Sequence, residues 1–330
     1  MLETRVMRVA LVGVSHWHLS LYLPELVRVP GAEIVGVSDD RLSSAESIAG
    51  QIGCAAYASY EQMCGDLHPD FVLALGEHYR MAALGNYLAD QRIAFAMEKP
   101  CGVSSIEVEE LARNCSEHDV FAAVPFVWRQ SELLAEMRKR FADEEVSYMS
   151  LRWIAGPPSR YVDSDCAWML DPQRSGGGCT INLGVHLLDF ARFIFGAGTS
   201  VASAAMSNAA YGLGIEDYSL VALRCGSRRA VAETGYLFPG PHSSFDMHFT
   251  IKTEHSYLVA TGPNRLLVYD DSGSRTDLAV MTTNVSHYPL FVRDVLDRVR
   301  TGRAPVATMD DMAAAMRLVE DAYSAAGAIT

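Results

Sequence analysis

Through the first third of the chain, short apolar runs alternate with longer stretches whose apolar positions recur every three to four residues. The runs at 6–12, 33–38, 70–75, 93–98 and 120–124 predict strands, and the stretches 19–29, 41–52, 79–90 and 104–117 predict helices between them. Strand and helix in alternation imply βαβ units and a parallel sheet. Asp66 to Pro69 reads as a turn, and Ser104 with Glu107 three residues later reads as a helix start.

From residue 145 the texture changes. VSYMSLRWIAG, EDYSLVALRC, RAVAETGYLF, FDMHFTIKT, HSYLVATG and NRLLVYD are strand-like and joined by short turns, which predicts an open, largely antiparallel sheet. Helices are expected at 180–195, opened by GGGC and stopped at Gly196, and at 288–301 and 309–326. The last follows a Thr308 cap with Asp310 and Asp311 in its first turn. The stretch 156–178, rich in Pro, Gly, Ser and Asp, reads as a long irregular loop of the kind that carries function in compact domains.

The expected fold is α/β. A Rossmann domain with a doubly wound parallel sheet spans 1–123, and a C-terminal α/β domain for substrate binding and oligomerisation spans 124–330, with a catalytic crevice between them. A length of 330 residues suits two domains at roughly 150 residues each. A sheet covered by helices on one face leaves another apolar face to bury, so a homodimer or homotetramer is expected.

Composition narrows the partners. A formal charge of −13 leaves no basic stripe to replace counterions, and the RKR at 138–140 is followed by acidic residues, so neither nucleic acid nor an anionic membrane is expected to bind. No apolar run reaches the ~18 residues of a membrane span. Glu3 precedes the first basic residue in MLETRVMRVALVG, which lacks the layout of a secretory signal, and a cytoplasmic location is expected. Seven cysteines, an odd count with no C-x-x-C pair, form neither a disulfide framework nor a zinc knuckle. Cys101 is expected to be a small buried residue rather than a reactive thiol.

The candidate chemistry begins at LVGVSHWHLSLY, residues 11–22. Gly13 after a strand and before a helix supplies the tight turn of a dinucleotide loop, and the helix N-terminus offers N–H groups to a pyrophosphate. Ser15 and His18 stand where two further glycines are expected. Ser15 adds a hydroxyl able to donate to phosphate, whereas His18 is expected to push the helix outward or to turn its ring toward the ligand, with His16 and Trp17 flanking the turn. Asp39 ends the second strand 21 residues after His18, where a carboxylate accepts from ribose hydroxyls and repels a 2′-phosphate; NAD is favoured over NADP. As alternatives, Asp39 caps the helix that follows it, or Asp40 shares either task.

Two later segments carry more. FAMEKPCG (95–102) places Glu98, Lys99 and Pro100 at a strand's carboxyl end, and GGGCTINLGVHLLDFARFIFG (176–196) places Asn182, His186 and Asp189 at i, i+4 and i+7 of one helix. Oxidising an alcohol removes a hydride and a proton, so a site needs a base near the hydroxyl and a cation for the developing oxyanion. An imidazole and an ammonium fulfil those needs.

Together with Gly13, the LPEL after the first loop, Asp39, WR at 128–129 and the closing helices, these segments resemble the Gfo/Idh/MocA oxidoreductase family, named for glucose–fructose oxidoreductase and inositol dehydrogenase. The resemblance covers nearly the whole chain. It implies that Lys99 lies near nicotinamide and the substrate hydroxyl and that His186 is the acid/base, with Asn182 orienting the pair. The dinucleotide contacts are expected from Gly13, Ser15, His16, Trp17, Asp39, His78, Glu98 and Lys99. Two departures stand out. Asn182 replaces the family's usual Asp, offering a neutral amide where a carboxylate would raise the basicity of a neighbouring imidazole. ALGEHYR (74–80) keeps His78 but differs at Gly76, Glu77 and Arg80.

Trp153, Arg160, Tyr161 and Trp168 are read as lining a sugar or cyclitol pocket from the irregular loop, the alternative being that the two tryptophans fill the core. His16 and His18 lack the third and fourth partners a metal needs, so no metal is expected. The activity implied is an NAD(P)-dependent dehydrogenase acting on a secondary hydroxyl of a sugar, cyclitol or related polyol. The alternatives are a glycosidase that oxidises transiently with held NAD, and a non-catalytic nucleotide-sensing regulator on the same fold.

Overall fold

The computed structural model describes residues 5–240 and 245–327, so Glu3 lies outside the described residues. These divide into two compact units. The first runs to Pro125 and takes in Ser164–Cys166 and Tyr288–Ala313; the second holds Phe126–Asp163, Ala167–His287 and the chain from Ala314.

The first unit is built on a parallel sheet of six strands: β1 (Met7–Val12), β2 (Ala32–Ser38), β3 (Ala55–Tyr57), β4 (Phe71–Ala74), β5 (Ala94–Met97) and β6 (Ala122–Ala123). Their order is β3-β2-β1-β4-β5-β6. The chain moves outward from β1 on one side and then, at β4, on the other. That reversal is the topological switch point, beyond whose strand ends ligands bind in such sheets. Val9, Ala10, Leu11, Phe71, Val72, Ala74, Phe95, Ala96 and Met97 are buried, as continuous apolar strands covered on both faces must be.

The intervening helices are α1 (Leu19–Leu26), α2 (Leu42–Ile52), α3 (Tyr60–Leu67), α4 (His78–Asp90) and α5 (Ser105–Glu117). α5 starts as its sequence foretells. Ser104 accepts the Glu107 N–H at 3.4 Å while the Glu107 carboxylate accepts the Val103 N–H at 2.9 Å. β3, three residues long, and α3 lie outside the runs read from the sequence.

In the second unit come α6 (Glu132–Arg140), β7 (Tyr148–Ala155), α7 (Ser159–Asp163), α8 (Pro172–Ser175), a π-helical turn at Thr180–Gly184 and α9 (Val185–Phe195). Strands β8 (Ser200–Ser207), β9 (Tyr218–Cys225), β10 (Arg228–Gly235), β11 (Phe245–Lys252), β12 (Ser256–Thr261), β13 (Arg265–Asp270) and β14 (Arg275–Ala279) follow. With β7 they make one sheet in the order β14-β13-β12-β11-β7-β10-β9-β8, antiparallel except where β10 runs parallel to β7. Two helices close the chain: α10 (Tyr288–Thr301) and α11 (Met309–Ala326), the latter behind Thr308, whose hydroxyl accepts the Asp311 N–H at 3.2 Å.

Two expectations need correction. The stretch 156–178 is not one irregular loop; it folds into α7, a 3₁₀ turn at Ala167–Leu170 and α8, and Trp153 lies on β7 rather than in it. Asn182 and His186 do not share a uniform α-helix, because Asn182 sits in the π turn that precedes α9. Among the described residues, no helix is long and apolar enough to cross a membrane.

Candidate active site

In the first unit, the turn after β1 is pressed against the strand beside it. Gly13 has φ +72°, and a Cβ there would stand 2.1 Å from the Leu75 carbonyl oxygen, so only glycine fits. The loop closes through Asp39, whose carboxylate accepts the Ser15 N–H at 2.7 Å and the Arg41 N–H at 3.0 Å. Asp39 is buried and therefore braces both the glycine turn and the approach to α2. Asp40 lies on the surface, paired with Arg80, and Arg41 pairs with Asp165.

The two histidines of the loop turn inward. The His18 N–H donates to Nδ1 of His16 at 3.1 Å, which leaves the proton of a neutral His16 ring on Nε2. Burial, and then neighbouring His18, hold His16 well below the ordinary histidine range. His18, at the third glycine position, packs 4.0 Å from Trp17 between ring centroids and brings Nδ1 to 3.3 Å from the Glu98 carboxylate. Its ring is thus aimed into the protein, at Glu98. The Tyr22 hydroxyl, from α1, donates to the same Glu98 oxygen.

Glu98 and Lys99 follow β5 and are 2% and 3% exposed. Burial alone would raise the Glu98 carboxyl. The charge and hydrogen bond of His18, followed by Lys99 and His16, outweigh it and hold the group well below the usual carboxylate range. His78, the first residue of α4, is also buried and is within electrostatic reach of His16. Five ionisable side chains (His16, His18, His78, Glu98 and Lys99) are therefore buried beyond the carboxyl ends of β1, β4 and β5, at the switch point. Cys101 is fully buried, and burial pushes its thiol well up, as expected of a packed residue.

In the second unit, Asn182 Nδ2 donates to the Tyr161 hydroxyl at 2.6 Å and to the Tyr236 hydroxyl at 3.1 Å. Arg160 donates to Tyr161 at 2.6 Å, and its guanidinium lies 4.7 Å from the Tyr161 ring centroid and 5.3 Å from that of Tyr236. His186, one turn on, is 2% exposed, with its ring 5.7 Å from Trp153 and 6.0 Å from Phe126 between centroids. Trp168 is buried on the 3₁₀ turn. The structure thus brings Arg160, Tyr161 and Asn182 into one polar cluster, and Trp153 to His186.

Some participants gave no local signal in the sequence. Tyr236 lies at the end of a strand-like run and Tyr22 sits among leucines, so each becomes notable only through its distant partner. Among the described residues, no three His, Cys, Asp or Glu side chains are placed to hold a metal ion.

A family model described as an oxidoreductase family with an NAD-binding Rossmann fold matches residues 7–126, and the Gfo/Idh/MocA C-terminal domain model matches residues 145–259. The chain belongs to the Gfo/Idh/MocA oxidoreductase family. Among curated relatives, a protein of Amycolatopsis mediterranei (strain S699) named for the oxidoreductase subunit of a UDP-kanosamine synthase is 25% identical over 189 residues. That stretch is 57% of this chain and 52% of the relative, so the match spans about half the relative's length.

Solved oxidoreductase structures match over nearly the full chain. The WlbA dehydrogenase of Bordetella pertussis, solved with NADH and UDP-GlcNAcA, has a TM-score of 0.84 at 17% identity, covering 99% of this chain and 97% of that one. An Agrobacterium radiobacter oxidoreductase solved with NAD+, L-tartaric acid and magnesium scores 0.84 at 18% identity, covering 97% and 96%. Levoglucosan dehydrogenase, solved with NADH and levoglucosan, scores 0.85 at 13% identity, covering 97% of each. At these identities the likeness is one of fold.

Proposed function

We propose that this protein is an NAD(P)-dependent dehydrogenase acting on a secondary hydroxyl of a sugar, cyclitol or related polyol, free or carried on a nucleotide, with NAD as the preferred cofactor. The observation that carries the reading is Lys99, an ammonium 3% exposed beyond β5, in a cluster of buried ionisable groups at the switch point. Burying such a charge costs several kcal/mol, and polar groups in that setting are commonly functional. The sugar ligands of similarly folded enzymes support the substrate class.

The residues fit a dinucleotide. At Gly13 the chain passes so close to the Leu75 carbonyl that no side chain could stand, which gives the tight turn after β1 that a dinucleotide loop requires. Gly13, Ser15, His16, Trp17 and His78 would hold the dinucleotide, with Asp39 near its adenosine ribose and Glu98 and Lys99 toward the nicotinamide. When bound, the nicotinamide supplies the hydride acceptor.

The rest is the work of side chains. His186 takes the hydroxyl proton on its imidazole. Lys99 positions the hydroxyl and stabilises negative charge on the oxygen as that proton leaves. Asn182, fixed in its plane by two phenols, orients the substrate beside His186. Trp153, Arg160, Tyr161 and Trp168 shape the sugar pocket. We infer a homodimer or homotetramer as the working state, testable by light scattering.

The test is nicotinamide absorbance with a panel of polyols, sugars and nucleotide sugars. Turnover that falls at least 100-fold in Lys99→Ala and His186→Ala supports the assignment, in line with the ~10²–10⁴-fold worth of general acid–base catalysis. Undiminished turnover in both variants overturns it.

A further inference from the structure

The helical segment that carries Asn182 and His186 begins against a fully buried carboxylate. Glu216, just before β9, is 0% exposed. One carboxylate oxygen accepts the Gly178 N–H at 3.0 Å, the other accepts the Thr180 N–H at 2.9 Å, and the backbone carbonyl accepts the Cys179 N–H at 3.1 Å. Three consecutive N–H groups therefore end on one residue. A helix start leaves such donors without partners and carries the positive end of the helix dipole, so an anion there answers both needs.

The Tyr323 hydroxyl, from α11, donates at 2.8 Å to the same oxygen that holds Thr180. The glycines make this approach possible. A Cβ on Gly177 would stand 2.0 Å from the Tyr323 hydroxyl, and one on Gly178 would stand 2.0 Å from the Glu216 carbonyl oxygen. Gly177 and Gly178 are thus the imprint of the Tyr323 side chain and the Glu216 backbone pressed onto the start of a helix.

Directly after this clamp comes the π turn, Thr180–Gly184, with Asn182 at its centre and His186 one turn further on. An isolated π turn is rare and is found frequently at functional sites, where its surroundings hold it. The surroundings here are Glu216 at one end and α9 at the other.

We propose that Glu216, backed by Tyr323, is the positioning residue that sets where Asn182 and His186 point, by pinning the N-terminal end of their helical segment. The catalytic consequence rests on the proposed role of His186; the geometric one does not. Misplacing a reacting group by about 1 Å can cost 10²-fold in rate, so a remote anchor can govern turnover without touching substrate.

Full-length protein carrying Tyr323→Phe or Glu216→Gln, labelled at histidine Cε1, tests this by NMR, with His186→Asn identifying the His186 signal. Lying beside the Trp153 and Phe126 rings, His186 has a shift that reports small displacements. The expected result is a moved His186 signal in both variants, unmoved signals from exposed His255 and from His16, and a kcat about 10- to 100-fold lower with nucleotide Kd within about twofold. An unmoved His186 signal in folded Tyr323→Phe overturns the proposal, whether or not Glu216→Gln folds. If wild-type protein turns over no substrate, the dehydrogenase reading fails, and the His186 signal still decides this one.

Discussion

Arg129 and Asp189 form a two-pronged ion pair inside the second unit, Nε to Oδ2 at 3.0 Å and Nη2 to Oδ1 at 2.5 Å, with the residues 4% and 0% exposed. Asp189 lies one turn beyond His186 on α9, and Arg129 also stacks over Phe193 at 4.7 Å and Phe126 at 5.7 Å. The pair fastens α9 to the segment carrying the WR dipeptide. Asp189→Asn leaves a buried guanidinium without its anion and is expected to cost about 3–5 kcal/mol in urea unfolding. Arg129→Met with Asp189→Leu is expected to recover much of that loss. A single-variant cost below about 1 kcal/mol would show the pair to be marginal.

Gly13→Ala introduces a methyl group where the Leu75 carbonyl already stands, at a φ that disfavours any Cβ. The expected loss is roughly 2–4 kcal/mol from overpacking and backbone strain together. Nucleotide affinity measured by calorimetry should fall further than stability alone explains, because the turn itself moves. Wild-type affinity in this variant would remove the turn from the binding site.

Asp39→Asn keeps the shape of the side chain but sets an amide N–H₂ against the N–H of Ser15 or Arg41. NAD affinity should weaken by about tenfold, the worth of one hydrogen bond to a charged group. NADP should weaken less, since the charge that repels its 2′-phosphate is gone. An unchanged NAD-to-NADP preference would mean that Asp39 only braces the loop.

Burial disfavours the charged ring of His287 and pushes its pKa down to about 4, although Glu132 pulls the other way. Its folded value lies below the ordinary 6.5 of the unfolded chain. Between those values the unfolded chain binds a proton that the folded one does not, so this residue lowers stability as pH falls from about 6.5 to about 4. His287→Gln should flatten the melting-temperature slope across that window. A slope identical to wild type would assign the acid sensitivity elsewhere.

The parallel sheet was legible because its strands are continuous apolar runs and its helices show clean periodicity. The edge strands β8 and β14 were not, since exposed edges mix Ser, Ala, Asp and Thr with no strict alternation. Of the site, Gly13, Asp39, Lys99, Asn182 and His186 stand out in the sequence because motif spacing marks them. Tyr22 beneath Glu98, Tyr236 beneath Asn182 and Glu216 beneath the glycines do not. Each is a single polar residue in an ordinary-looking element, and only tertiary folding brings it to its partner. The inward turn of His18 was equally hidden, because loop sequence names the residue and not the direction of its ring.

The π turn at 180–184 has a consequence for how this site can change over time. Such a turn holds one residue more than the α-helical path between the same ends. Excising a residue beside Asn182 lets the backbone close to regular α geometry between those same ends, so the side chains inside the turn change direction while both ends stay in place. The Asn182 amide would be re-aimed relative to both phenols in a single genetic step, whereas many point substitutions nearby would leave it in place. Across descendants of this chain, the length of that short segment should be guarded more strictly than its letters.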